Sequence, residues 1–174
     1  SEKNAMLAAL PMFHGFGLCV GVHASISTNM RSVLLPIFKA KKAVKVIAKN
    51  RITTMIAVPR MVQKLLALEE FSGENVSCIE DIYVGGDLVS EELVGKFDAR
   101  MKECGGKGVL SPGYGLTETS SVCTVSKSDF LSGSVGKPIN AVEVRVVDEN
   151  LQEVPCGSVG ELLVAGDQIM SGYV

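Results

Sequence analysis

Ser111-Pro112-Gly113-Tyr114-Gly115-Leu116-Thr117-Glu118-Thr119-Ser120-Ser121 is the stretch of this chain in which groups able to do chemistry are most concentrated. Gly113 and Gly115 lack a Cβ and would let backbone come close to a ligand. Thr117, Thr119 and Ser120 bring hydroxyls and amides to what reads as a helix start, where anions are favoured. Glu118 would repel a bare phosphate but suits one bridged by Mg²⁺. Tyr114 offers a flat ring on which a base can stack. Taken as chemistry, these residues describe a nucleotide site. Taken as structure alone, they also fit a strand-to-helix turn with Thr117 as N-cap and Glu118 offsetting the helix dipole.

The elements that must position this stretch are legible from hydrophobic patterning. Met6 to Leu10 reads as a strand ending at Pro11, followed by the loop Phe13-His14-Gly15-Phe16-Gly17 and a helix from about Leu18 to Thr28. Ser32 to Ile37 is a short strand. From Lys41 to Asn50, Ala43, Val44, Ile47 and Ala48 recur at helical spacing. The basic residues crowding that helix (Lys39, Lys41, Lys42, Lys45, Lys49 and Arg51) fit a solvated face better than a phosphate-binding one. Thr53 to Val58 is a strand closed by Pro59, which suits the first turn of the next helix. Ile79 to Val84 is a strand ending in Gly85-Gly86-Asp87. Ser90 caps a helix that buries Leu93, Val94, Phe97, Met101 and Cys104, and the strand Gly108 to Leu110 then leads into the opening stretch.

Alternation of short apolar strands with helices implies an α/β fold, a mostly parallel sheet covered by helices on both faces. Ligands of such sheets bind beyond the carboxyl ends of the strands. His14, Gly85-Gly86-Asp87 and Gly113 to Glu118 each follow a predicted strand, so they are expected to converge on one edge. After about residue 130 the pattern changes. Gly133 to Pro138 reads as a loop, Val142 to Val146 alternates as a half-exposed strand, and Glu161 to Ala165 returns. The expected organisation is an α/β part over 1–130 and the start of a small antiparallel β layer over 131–174.

Composition narrows the function classes. The 174 residues are of single-domain size, 47% of them apolar, with no uninterrupted apolar run long enough to span a membrane and no secretory leader. A formal charge of −2 gives no support for nucleic acid as a partner. Five scattered cysteines, odd in number and without a Cys-x-x-Cys pair, favour reduced thiols and a cytoplasmic setting over disulfides or a zinc site. The chain does not begin with Met and stops without a terminal turn, so it reads as a piece of something longer. Self-association through apolar surface bared by such truncation is expected to be available to it.

Three ordered motifs carry a resemblance. Pro11-Met12-Phe13-His14-Gly15-Phe16-Gly17, Tyr114-Gly115-Leu116-Thr117-Glu118-Thr119 and Gly160-Glu161-Leu162-Leu163-Val164-Ala165-Gly166 occur in the order found in adenylate-forming enzymes. That superfamily includes acyl-CoA synthetases, coumarate–CoA ligases, beetle luciferases and peptide-synthetase adenylation domains. The chain resembles an internal fragment of their large N-terminal domain along essentially its whole length. The resemblance implies ATP, Mg²⁺ and coenzyme A as reaction partners of a small carboxylic acid. The acid is activated as an acyl-adenylate with loss of pyrophosphate, and CoA then displaces AMP to form a thioester.

By motif position, the resemblance implies that Glu118 holds Mg²⁺, Thr117 binds a phosphate oxygen and Tyr114 stacks on adenine. Gly113, Gly115 and Leu116 line the nucleotide, while Gly86 and Asp87 border the adenine and acyl pocket. His14 stands near the reacting carboxylate, and Phe16 lines the acyl pocket. Two bland readings stay open: His14 as a buried histidine with one hydrogen bond, and Phe16 as a core residue. His23 receives only the core reading. Many relatives have Ala-Pro-Leu where this chain has Asp87-Leu88, and coumarate-ligase-like members often have Lys where it has Ile37.

Phe13-His14 and Leu116 favour a fatty or aryl acid over an amino acid, although an amino-acid-adenylating domain stays as an alternative. So do luciferase chemistry, a non-catalytic nucleotide-binding protein and a scaffold that binds nothing measurable. The phosphate-cradling loop, the ribose-binding Asp and the Lys-bearing C-terminal domain of the family have no counterpart here. The fragment alone is therefore expected to be inactive.

Overall fold

Strands buried on both faces set the architecture. The structure, a computed structural model, describes residues 4–126 and 133–174. Every residue of β1 (Ala5–Ala8) and β3 (Thr54–Ala57) is buried, so neither face of the sheet centre meets water. With β2 (Arg31–Leu34), β4 (Asp81–Val84) and β5 (Val109–Tyr114), they form a parallel array in the order β2-β1-β3-β4-β5. Two short strands, β6 (Thr124–Val125) and β7 (Lys137–Pro138), extend it antiparallel beyond β5, giving seven strands. A separate hairpin of β8 (Val142–Val147) and β9 (Glu161–Gly166) follows. The expected mostly parallel sheet with a small antiparallel layer is what forms. Lys137–Pro138, read from sequence as loop, instead completes the large sheet.

Side-chain alternation assigns the helices to the two faces. Ala5, Leu7, Met55, Ala57, Ile82, Val84 and Leu110 belong to one apolar core. That core also contains Ala43, Val44 and Ile47 of α2 (Ala40–Asn50), Met61, Val62 and Leu65 of α3 (Pro59–Leu66), and Leu93, Phe97 and Met101 of α4 (Glu91–Glu103). Pro59 occupies the first turn of α3, and the Ser90 hydroxyl caps α4 by accepting from Leu93 N, both as the sequence predicts. The Arg100 guanidinium donates to the carbonyls of Leu66, Leu68 and Phe71, tying the end of α3 and the loop after it to α4. The lysines of α2 are exposed, in keeping with a solvated face.

The opposite face carries the segment after β1. Phe16–His23 is a π-helix, closed by Ala24 N donating to Cys19 O, and it continues as α1 (Ala24–Ser27). The sequence predicts an ordinary helix from about Leu18. The difference has a packing origin, because this segment lies close to other backbone. A Cβ on Gly17 would stand 2.1 Å from Pro11 O, and one on Gly21 would stand 2.9 Å from Ile56 Cδ1. His23, expected in the core, is exposed on this helix.

Candidate active site at the carboxyl ends of β1, β4 and β5

The sheet topology brings three distant segments to one rim. β1, β4 and β5 are parallel, so the residues following them emerge at the same edge. A cavity of about 440 Å³ opens there, within the range of small-molecule sites. His14, Phe16, Gly86, Gly113, Tyr114, Gly115, Leu116, Thr117 and Glu118 all line it. Asp87 does not line it; this exposed carboxylate accepts the amide of Leu88 at 2.8 Å and shapes the turn. Gly86, with φ of +79°, lets the chain reverse immediately after β4.

The glycine-rich stretch differs from its sequence reading in one respect. No helix begins at Thr117. Extended backbone runs on to Tyr114 because Gly113 and Tyr114 pair with Val125 and Thr124 of β6. Thr117–Thr119 is a single 3₁₀ turn held by Thr119 Oγ1, which accepts from Leu116 N and donates to Leu116 O, each at 3.0 Å. Helix-dipole stabilisation of an anion is therefore no part of this site. The absent Cβ groups are also accounted for internally. One on Gly115 would stand 1.6 Å from Ser121 O, and one on Gly113 would stand 3.1 Å from Thr124 O. These glycines let the returning chain lie against the strand end.

His14 is exposed at the rim, so it is not the buried histidine that a bland reading suggests. Its Nδ1 accepts the Phe16 amide at 3.2 Å, which in the neutral ring leaves the proton on Nε2. Phe16 is half-buried, outside the main core, and its Cε1 would stand 3.7 Å from a Cβ on Gly85. Its ring therefore lies over the diglycine turn.

Glu118 is tied to the far end of the chain. Tyr173 Oη donates to Glu118 Oε1 at 2.8 Å, and Met170 N donates to Glu118 O. Ser120, at φ of +57°, donates its hydroxyl to Gln168 O, while Gln168 Nε2 donates to Val122 O. The Glu118 carboxyl is held below the ordinary glutamate range by its own backbone amide and then by the Tyr173 hydroxyl. Among the described residues it makes no ion pair with Lys or Arg, and no Lys or Arg lines the cavity. A lone carboxylate with one oxygen committed to a tyrosine fits Mg²⁺, which binds through one or two carboxylates plus substrate phosphates. No cluster of three or more His, Cys, Asp or Glu able to cage a metal occurs among the described residues.

Sequence reading missed Val20, Tyr83, Ser111, Ser121, Val122 and Val125 as cavity residues. Strand alternation contained a signal for two of them. Tyr83 and Ser111 fall on the strand positions opposite in parity to the core residues Ile82, Val84 and Leu110.

A glycine-bordered cavity at the carboxyl edge of a parallel sheet is where α/β proteins bind their ligands. Family comparison is more specific: the chain belongs to the AMP-binding enzyme family, which matches residues 1–174. It is 32% identical over 174 residues to a long-chain-fatty-acid–CoA ligase of Escherichia coli O6:H1, covering 98% of this chain and 30% of that protein. It is 29% identical over 179 residues to a 2-succinylbenzoate–CoA ligase of Enterococcus faecalis, covering 100% and 35%. Among solved structures, ATP-bound MatB from Rhodopseudomonas palustris is similar at a TM-score of 0.86 and 25% identity, covering 98% and 33%. The chain thus spans about a third of the length of these proteins.

Proposed function

We propose that this chain is the nucleotide- and acid-holding segment of an ATP-dependent acid–thiol ligase that activates a fatty or aryl carboxylic acid and transfers it to coenzyme A. The observation that carries the reading is the convergence of His14, Gly86, Tyr114, Thr117 and Glu118, from three strand ends, on one cavity. The long-chain-fatty-acid–CoA ligase and 2-succinylbenzoate–CoA ligase that the chain resembles support the same chemistry.

In this reading adenine lies between the Gly85-Gly86 turn and Tyr114, bordered by Gly113, Gly115 and Leu116, while Asp87 shapes the turn from outside the cavity. The acid enters beneath Phe16. A carboxylate oxygen attacks the α-phosphorus, the bond to pyrophosphate breaks, and acyl-AMP results. The CoA thiolate then attacks the acyl carbon and AMP leaves. The Thr117 hydroxyl donates to a phosphate oxygen, stabilising charge that grows during attack. His14 Nε2–H donates to the carboxylate or to the acyl-adenylate oxygen, orienting it. Glu118 holds Mg²⁺, which when bound offsets phosphate charge and lets two anions approach.

Among the described residues no Lys or Arg lines the cavity to pair with the β- and γ-phosphates, so in our reading the 174 residues alone are inactive. The five cysteines are free thiols, consistent with a cytosolic setting, and no helix among the described residues is long and apolar enough to cross a membrane. ATP–pyrophosphate exchange over a panel of fatty and aryl acids tests the proposal. The longer protein containing this chain should exchange, Glu118→Gln should reduce exchange at least about a hundredfold, and the 174-residue chain should not exchange. Robust exchange by the isolated chain, or indifference to Glu118→Gln, would contradict it.

A further inference from the structure

The cavity is not uniformly apolar on its sheet side. Tyr83 of β4 and Ser111 of β5 are direct register partners, so their side chains stand side by side on one face. Ile56 of β3 is the next partner on that face, and it packs near Gly21 of the π-helix. Both Tyr83 and Ser111 line the cavity. Ser111 is 1% exposed, yet its hydroxyl makes no hydrogen bond among the described residues. The Tyr83 hydroxyl is also unpartnered there, and burial followed by the nearby Asp81 carboxylate pushes its pKa up, so the group keeps its proton. Ser121, which also lines the cavity, has a buried Oγ without a partner among the described residues. Phe16, Val20, Val122 and Val125 make up the apolar remainder.

A cavity hydroxyl that a ligand covers with methylenes becomes buried without a partner, which is costly, so a ligand able to pair with it is favoured. We infer that Tyr83 and Ser111 select a carboxylic acid whose tail bears a hydrogen-bonding group, such as a hydroxyl or carbonyl, over an acid with a plain hydrocarbon tail. The inference rests on the acid-site reading above. It narrows the substrate class within the fatty and aryl acids and assigns specificity to a cross-strand pair. As a protonated phenol, Tyr83 donates to a tail oxygen, and Ser111 either donates or accepts. The apolar residues hold the carbon skeleton in register with that pair.

The test is a two-dimensional ¹⁵N NMR titration of the labelled chain with AMP, with 3-phenylpropanoate and with its three ring-hydroxylated isomers. At least one hydroxylated acid should bind about tenfold more tightly than the parent acid, the strength of one good hydrogen bond. Tyr83→Phe should bring that ratio close to one, and Ser111→Ala should reduce it. Tyr83→Phe removes a single oxygen from a half-exposed side chain, and its spectrum reports whether the fold is kept. If the chain binds AMP and all four acids equally, or if the variants weaken every acid alike and keep the ratio, the tail-selectivity inference is overturned while the site reading stands. If AMP shifts no resonance around the cavity, both fall.

Discussion

Tyr173 reaches back 55 residues to place its hydroxyl 2.8 Å from Glu118 Oε1, so the residues after β9 brace the carboxylate at the mouth of the cavity. Met170 N and the Ser120–Gln168–Val122 contacts run alongside. Together they hold the Thr-Glu turn in place without a helix behind it.

The bond predicts a paired titration. Glu118 is lowered from 4.5, first by its own backbone amide and then by Tyr173; Tyr173 is raised from 10.0, first by its bond to Glu118. The carboxylate's contribution is present above the ordinary glutamate pKa and lost as pH falls through the lowered folded value. The phenol's contribution is present below the ordinary tyrosine pKa and lost as pH rises through the raised folded value. Docking of the tail is therefore bounded on both sides. In Glu118→Gln the Tyr173 ring-carbon NMR titration should move to lower pH, and in Tyr173→Phe the Glu118 carboxyl should titrate higher. Unchanged midpoints would refute the contact.

Two glycines should respond to alanine with opposite signs. At Gly115 the new Cβ would fall 1.6 Å from Ser121 O, which neither backbone can relieve locally. Gly115→Ala should destabilise the chain by about 2 kcal/mol or more, in line with overpacking. Gly95 lies inside α4 with nothing within 4 Å of a Cβ. Gly95→Ala should stabilise by roughly 0.5–1 kcal/mol through helix propensity. Urea denaturation of both variants reads the signs directly.

Neighbouring residues of α4 should separate packing from surface charge. Phe97 is fully buried in the helix-side core, and its replacement by Ala should cost about 3–5 kcal/mol. Lys96 makes an exposed pair with Glu92 at 2.5 Å, and Lys96→Ala should leave the midpoint almost unchanged. Chemical denaturation midpoints check the ranking.

The cap on the same helix gives a smaller effect. Ser90 Oγ accepts from Leu93 N at 3.2 Å, so Ser90→Ala should cost about 1 kcal/mol while Ser90→Asn is tolerated. Equal losses in both variants would show that the hydroxyl is not acting as a cap.

The parallel sheet and the convergence of His14, the diglycine turn and the Thr-Glu pair were legible because short apolar strands and Gly, Pro and Ser punctuation are local signals. The π-helix was not, because Phe16–His23 is apolar with no pattern to distinguish hydrogen-bond spacing, and its register follows from contact with Pro11, Ala8 and Ile56. The strand that continues through Gly113-Tyr114 was missed for a similar reason: its partner β6 is two residues long and carries no period. Tyr83 and Ser111 were invisible as cavity residues until register put them side by side. Tyr173 could not be linked to Glu118 by any spacing rule.

The central claim, that one rim holds nucleotide and acid together, is tested most directly by adding AMP to the ¹⁵N-labelled chain and mapping which amides move. The account predicts concerted shifts at Gly85, Gly86, Gly113, Tyr114 and Thr117, with none at the amino-end groove bounded by Arg31, Arg51 and Lys107. Shifts at that amino-end groove with a silent carboxyl rim would contradict it.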